Sequence, residues 1–160
     1  TTLQTFIPKD SLGEMLSQFP RPDYIVDAID IVPQKLVFAK WCRKQRIPLL
    51  SSMGGADKLD PSCLQFARIK KTSGNRLAKA MRKECRKRGI EELEVLYSTE
   101  KGADLKPPKT EDGKRPEKGQ TLGTMSYIPL IIDQMIAGKV IYRLAGFEPM
   151  PYTEEEDPQC

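Results

Sequence analysis

Apolar residues in this chain occur as short runs and at helical spacing, and the two patterns alternate. Tyr24 to Ile29 is an apolar run interrupted by Asp27, and short β-branched runs of this kind are typical of buried parallel strands. From Pro33 to Lys44 apolar side chains recur at helical spacing, behind a proline that a first helical turn tolerates. A second apolar run covers Ile47 to Ser51. The pattern predicts a strand-helix-strand unit with Asp30 at the carboxyl end of its first strand, where ligands of open α/β sheets gather.

The same two patterns predict the remaining elements. Alternation and apolar runs predict strands at Leu3 to Ile7, Cys63 to Ile69 and Leu93 to Tyr97. Helical spacing predicts a helix capped by Asp10 or Ser11, another over Arg76 to Arg88 that Gly89 stops, and a last one over Tyr127 to Leu144. That last helix is apolar on most sides at first, so we expect it to be buried early and amphipathic late.

The length of 160 residues suits a single domain with its own core. We expect that domain to cover residues 1–146, with a polar insertion at about 101–123 that has too few apolar residues to fold alone. Residues 147–160 are acidic and rich in proline, which predicts a poorly ordered tail. The chain starts without a methionine on an alternating apolar stretch, so we expect it to be a piece of a longer protein.

Cysteine and histidine usage excludes several kinds of chemistry. The four cysteines stand far apart without a CxxC pair, and the chain contains no histidine. This argues against a structural zinc site and against any mechanism that needs an imidazole base. The spacing suggests no disulfide framework, so we expect a cytoplasmic protein. Lys139 and Arg143 interrupt the one long apolar run, so we also expect no membrane span.

Positive charge is concentrated around the third predicted helix. Between Arg68 and Arg88 there are ten Lys or Arg and one acid, Glu84. Leu77, Met81 and Cys85 fall on one face of this helix, so one side packs and the other is cationic. A solvated helix face is the ordinary explanation, and an RNA backbone is the partner that such a density of cations fits. The candidate RNA-binding residues are Lys71, Arg76, Lys79, Arg82, Lys83, Arg86 and Lys87.

Six stretches together resemble a known family, the ubiquitin-activating-type (ThiF-like) ATP-binding enzymes, and within it the tRNA threonylcarbamoyladenosine dehydratases. They are DYIVDAID with Lys35 after it, IPLLSSMGG, KLDP at 58–61, LAKAMRKECRKRGI at 77–90, VLYSTE at 95–100 and GTMSYIP at 123–129. Each match is weak alone, but their order and spacing hold from about residue 3 to 146. The resemblance implies an α/β, Rossmann-type fold, with a mixed sheet flanked by helices.

The resemblance also implies an activity. Enzymes of this kind use ATP to adenylate the carboxyl group of threonylcarbamoyladenosine at position 37 of tRNA, which then cyclises with loss of water. Their nucleotide site has an N-terminal Gly-rich part and a later part at a strand end. None of the eleven glycines here falls into GxGxxG, so the chain resembles the C-terminal half of such an enzyme. The implied cofactors are ATP and Mg²⁺, and the implied partners are tRNA, the missing N-terminal half and a second copy in a homodimer.

Asp30 is the candidate catalytic and metal-binding residue. It matches the family aspartate that faces metal and phosphates, and a carboxylate there can hold Mg²⁺; alternatively it only caps the following helix. Lys35 matches a basic residue near the phosphates, with a solvated surface position as its default. Ser52 and Gly54, in the small-residue loop after the second strand, either allow a nucleotide to approach closely or only make a turn. Asp27, a charge in mid-strand, needs a partner if it is buried.

Two departures from the family pattern keep other functions open. Ile31 follows Asp30 where many relatives have asparagine, and Thr121, Thr124 and Ser126 stand where some relatives carry a cysteine, so a thiol step is not supported. One alternative is an adenylating enzyme for a ubiquitin-like or sulfur-carrier protein. The other is a non-catalytic RNA-binding or interaction module that retains the fold.

Overall fold

The structure is a computed structural model, and it describes residues 2–7, 11–102, 123–149 and 151. Within them the elements follow in the order α1 (Leu12–Ser17), β1 (Ile25–Asp27), α2 (Val32–Gln45), β2 (Leu49–Ser52), β3 (Leu64–Arg68), α3 (Arg76–Lys87), β4 (Glu94–Ser98) and α4 (Tyr127–Leu144). Short 3-10 turns at Pro61–Cys63 and Ile69–Lys71 flank β3. The expected α/β class is confirmed, and α2, α3 and α4 begin and end within one residue of their predicted limits.

The four strands form one mixed sheet in the order β1-β2-β4-β3. β1, β2 and β4 are parallel, with Val26 opposite Leu50 and Ser51 opposite Val95, whereas β3 pairs antiparallel with β4. Parallel neighbours need a crossover connection, and α2 provides it between β1 and β2. The carboxyl ends of β1, β2 and β4 therefore lie along the same edge of the sheet, where the loops that carry Asp30 and Gly54 begin.

The helices cover both faces of the sheet. On one face α2 and α3 enclose a core that includes Leu36, Met53, Met81 and Val95. On the other face α4 packs against Leu50, Leu64 and Leu96 through the stripe Ile128, Ile132 and Ile136. No helix in the described part of the chain has the length and apolar character needed to cross a membrane.

Three predictions about apolar segments are wrong. Residues 2–7 form no strand, and Phe6 is 83% exposed, because an alternating stretch becomes a strand only when it finds a paired neighbour. β1 is limited to Ile25–Asp27. The early part of α4 is not buried on most sides, since Leu130 is 64% exposed and the sheet covers a single stripe of the helix. The predicted polar insertion and acidic tail lie almost entirely outside the described residues.

A buried ion pair joins the sheet to the end of α4. The guanidinium of Arg143 donates to both carboxylate oxygens of Glu94, at 2.5 and 3.0 Å, and also to the hydroxyl of Tyr24 at 2.6 Å. This fork geometry is the stronger form of an Arg–carboxylate pair. Arg143 therefore fixes α4 against β4 although the sequence showed it only as a break in an apolar run.

Candidate functional site

Asp30 lies at the carboxyl edge of the sheet, between β1 and α2, and its side chain is exposed. Its Oδ1 lies 3.6 Å from the point where a Cβ on Gly54 would stand, so the loops that follow β1 and β2 meet at this carboxylate. In the described part of the chain no hydrogen bond or ion pair engages the Asp30 side chain. Residue Ile31, and not Asp30, occupies the cap position of α2, and no side chain caps that helix. The helix-capping alternative is therefore wrong, and the carboxylate is accessible to a ligand.

Below Asp30, a buried polar network connects the two loops. Lys35 Nζ, on a side chain with 0% exposure, donates to Asp27 Oδ2 at 3.1 Å, to Ser51 Oγ at 3.1 Å and to the carbonyl of Ser52 at 2.7 Å. Ser51 Oγ in turn donates to Asp27 Oδ2 at 2.7 Å. The other oxygen of Asp27 accepts the backbone N–H of Ile29 at 2.9 Å. The network thus holds the backbone that leads to Asp30 and the backbone that leads to Gly54.

The surface alternative for Lys35 is wrong, since the side chain is fully enclosed. Burial lowers the pKa of Lys35, and the negative charge of Asp27, then that of Asp30, opposes this shift. An ammonium group has three N–H donors, and all three have acceptors here. A contact between Lys35 and a phosphate stays a prediction, and it would require Lys35 to exchange one of these acceptors.

The structure explains why glycine occupies both positions 54 and 55 after β2. Gly54 has a φ of +73°, in the left-handed region that favours glycine. At Gly55 a Cβ would stand 2.7 Å from Ile128 Cγ2 of α4, which is too close for any side chain. The turn-forming alternative therefore explains Gly54, and close packing against α4 explains Gly55. The part of Ser52 and Gly54 in holding a nucleotide stays a prediction.

Helix α3 begins at this same edge. Asn75 caps it, because Asn75 Oδ1 accepts the N–H of Ala78 at 2.9 Å. Its amide nitrogen donates in the other direction, to the carbonyl of Met53 at 3.1 Å. Leu77 Cδ2 lies 3.7 Å from the Cβ position of Gly54. The sequence contained no signal for this second contact, which places the first turn of α3 beside the Asp30 loop.

The predicted cationic face of α3 is present. Met81 and Cys85 are fully buried, as predicted, and the opposite side carries Lys79, Arg82, Lys83, Arg86 and Lys87, which together line a shallow surface depression. Lys71 and Arg76 are also exposed. The structure therefore brings five of the seven candidate RNA-binding residues together on one surface of α3.

Two of the three described cysteines are too deeply buried for thiol chemistry, and the described residues contain no ready-made cluster of metal ligands. Burial raises the pKa of the Cys42 thiol to about 12 and that of the Cys85 thiol to about 11, so neither forms a thiolate at neutral pH. Among the described residues no cluster of three acidic, cysteine or histidine side chains could hold a metal ion. A single exposed carboxylate still suits Mg²⁺, which is commonly held by one or two carboxylates together with substrate phosphates and water.

Comparison with known proteins fits this arrangement. Over 79 residues, the chain is 44% identical to the tRNA threonylcarbamoyladenosine dehydratase of Bacillus subtilis. The chain is related to the tRNA threonylcarbamoyladenosine dehydratases. The match covers 49% of this chain and 31% of the Bacillus protein, so the chain spans about a third of that dehydratase. No family model matches the chain.

Solved dehydratase structures share the fold. The structure of "TcdA (CsdL)" superposes with a TM-score of 0.60 and 23% identity, covering 87% of this chain and 59% of that one. The E. coli tRNA N6-threonylcarbamoyladenosine dehydratase TcdA, solved in complex with ATP, gives a TM-score of 0.59 at 20% identity, over 87% of this chain and 57% of that one. The predicted Rossmann-type fold, with a mixed sheet flanked by helices, is confirmed.

Proposed function

We propose that this chain is part of an ATP-dependent tRNA threonylcarbamoyladenosine dehydratase. The observation that carries the proposal is the free, exposed carboxylate of Asp30 at the carboxyl edge of the sheet, in a chain related to these dehydratases. In the proposed reaction ATP adenylates the carboxyl group of threonylcarbamoyladenosine at position 37 and releases pyrophosphate. The modification then cyclises onto the activated carbonyl and expels AMP, so the base has lost the elements of water overall.

Asp30 is the proposed ligand of Mg²⁺ in this reaction. An exposed carboxylate without a protein partner suits an ion that completes its coordination with phosphates and water. When bound there, Mg²⁺ would offset negative charge on the phosphates while the α-phosphorus is attacked. Gly54 lies beside Asp30, and together with Lys35 and Ser52 it forms the remainder of the proposed nucleotide contact.

The proposed assembly extends beyond these 160 residues. β1 is an edge strand of the described sheet and Val26 on it is 45% exposed, so a further strand could pair there. We propose that an N-terminal half with a Gly-rich loop completes the nucleotide pocket, that the enzyme is a homodimer, and that tRNA binds the cationic side of α3. The absence of GxGxxG from the sequence supports the first of these points.

A manganese-ATP titration followed by NMR tests the role of Asp30. Mn²⁺ replaces Mg²⁺ and broadens amide signals near its site, so weak binding to a partial pocket is still detected. We expect broadening at Ile29 to Val32 and at Met53 to Gly55, and at least a tenfold weaker effect in Asp30→Asn. Because the Asp30 side chain makes no hydrogen bond or ion pair among the described residues, this variant should remain folded.

Asp133 provides the matched control, since it is an exposed aspartate on α4, the helix that covers the opposite face of the sheet. The amide signals of Asp133→Asn should broaden to the same extent as those of the unchanged protein. Equal broadening in Asp30→Asn and the unchanged protein would contradict the assignment, and so would broadening confined to other parts of the sheet.

A further inference from the structure

The cations of α3 differ in how far they are already engaged. In the second half of the helix, Glu84 accepts from Lys87 at 3.0 Å and from Arg88 at 2.6 Å, and Arg86 lies 3.4 Å from Glu91. In the middle of the helix Arg82 donates to the carbonyl and to the hydroxyl of Thr72, both at 2.6 Å. By contrast, Arg76, Lys79 and Lys83 make no hydrogen bond or ion pair within the described residues. The cations with free donors therefore begin at the end of α3 that lies beside Asp30 and extend as far as Lys83.

The position of the free cations is unfavourable for the helix itself. Aligned peptide dipoles give a helix N-terminus partial positive charge, so a cation in the first turn costs stability and an acid there gains it, typically about 0.3–1 kcal/mol. The first turn of α3 contains Arg76 and no acidic residue. An anion bound at this end would offset both the dipole and the side-chain charges.

The free cations also point in one direction along the molecule. Arg76, Lys79 and Lys83 stand at i, i+3 and i+7, which is one helical face, and they span about 10 Å at the helical rise per residue. At its start this face adjoins the Asp30 loops, because Asn75 binds the carbonyl of Met53 and Leu77 contacts Gly54. A chain of phosphates that lies on this face therefore runs toward Asp30.

The surroundings favour a nucleic acid over a protein as the partner. Protein interfaces have an apolar core, usually with aromatic anchors. Between residues 60 and 102, all of which are described, no large hydrophobic side chain is exposed. The face offers charge alone, which is how proteins contact a phosphate backbone.

We propose that Arg76, Lys79 and Lys83 bind consecutive phosphates of an RNA strand and guide it to the Asp30 edge, while Arg86 and Lys87 contribute little. The choice of RNA rests on the proposed function. The distinction between these three cations with free donors and the paired Arg86 and Lys87 at the end of α3 rests on the contacts described above.

Two double variants test this distinction, because each removes one arginine and one lysine from the same helix. Fluorescence anisotropy would measure the affinity for tRNA across a salt series, without ATP, for Arg76→Gln/Lys79→Gln and for Arg86→Gln/Lys87→Gln. We expect the first to bind at least tenfold more weakly and to reduce the salt slope by about 1.5, since each phosphate contact contributes about 0.7–0.9. The second variant should lose less than threefold in affinity for tRNA.

Folding should not obscure this comparison, because removing cations from the first half of α3 relieves an unfavourable interaction with the helix dipole. Circular dichroism would verify that both variants keep their helix content. Equal losses in the two variants would overturn the proposal and leave α3 a uniform cationic face. No loss in either variant would also overturn it, as would an acidic peptide that competes as well as tRNA.

A photo-crosslinking amino acid tests the direction of the strand. Position 31 is next to Asp30 and is exposed, and position 142 is exposed on α4. We expect RNA crosslinks from position 31 and none from position 142; the reverse would contradict the proposal. Neither of these RNA experiments uses ATP. If Asp30→Asn left the manganese-ATP titration unchanged, the proposed function alone would fail. RNA contact at the start of α3 would then still stand.

Discussion

Lys35 and Asp27 illustrate how a site residue gains its role from burial. The sequence indicated that a charge in mid-strand needs a partner, and the structure provides it eight residues later, across the turn from β1 into α2. Periodicity could not predict this contact, because it depends on the direction in which α2 leaves the strand. The same burial removes Lys35 from the surface and makes it the connection between the Asp30 and Gly54 loops.

Replacing Lys35 should therefore affect stability strongly. Lys35→Met leaves the carboxylate of Asp27 buried without a counter-charge, which typically costs about 3–5 kcal/mol. The double variant Asp27→Asn/Lys35→Met removes both charges and should recover most of that loss. Urea unfolding measures both values.

Lys44→Met is the matched control, because Lys44 is exposed on the same helix and should change stability by less than about 0.5 kcal/mol. If the free energy of unfolding of Lys35→Met lay within about 1 kcal/mol of that of the unchanged protein, the buried network would not hold the two loops as described.

At the scale of elements, sequence periodicity worked where a helix had a long apolar stripe and failed where a strand needed a neighbour. α2, α3 and α4 are long enough for their spacing to define their limits. The stretch at residues 2–7 has the composition of a strand without a partner in the described sheet. Which face of α4 is covered was also beyond the sequence, because most sides of its first turns are apolar.

The packing of α4 against the loop after β2 gives a prediction at this scale. Gly55→Ala places a Cβ 2.7 Å from Ile128 Cγ2 and 3.1 Å from Ile132 Cδ1, so α4 must move or the loop must distort. We expect a loss of about 1–3 kcal/mol in the free energy of unfolding, typical of overpacking. Thermal or urea unfolding provides the measurement.

Gly138→Ala is the control for that change, since no atom lies within 4 Å of its Cβ position in the middle of α4. Alanine there should stabilise the protein by about 0.5–1 kcal/mol, through helix propensity. A neutral or stabilising Gly55→Ala would show that α4 does not pack on the loop as closely as the structure indicates.

At the scale of the molecule, the candidate site combines three separate segments of the chain. Asp30 follows β1 and Gly54 follows β2, and the parallel order of these two strands brings both to one edge. Arg76 opens α3 beside them, although α3 follows the antiparallel strand β3. The sequence predicted the position of Asp30 at that edge from one strand-helix-strand unit. It did not predict that the cationic helix begins there, because that depends on the amide contact of Asn75 with the carbonyl of Met53.

This arrangement predicts which functions the 160 residues perform alone. They contain the carboxylate edge and the cationic helix but no Gly-rich phosphate loop, so we expect them to bind tRNA and yet to give no turnover. Mass spectrometry of nucleosides from modified tRNA, incubated with the chain, ATP and Mg²⁺, should show no cyclised base. Adding a separately produced N-terminal segment that carries a Gly-rich phosphate loop should restore some product, because it supplies the part that the proposed pocket lacks. The same mixture with Asp30→Asn should stay inactive, whereas product from the unaided chain would mean that the described edge holds the whole nucleotide site.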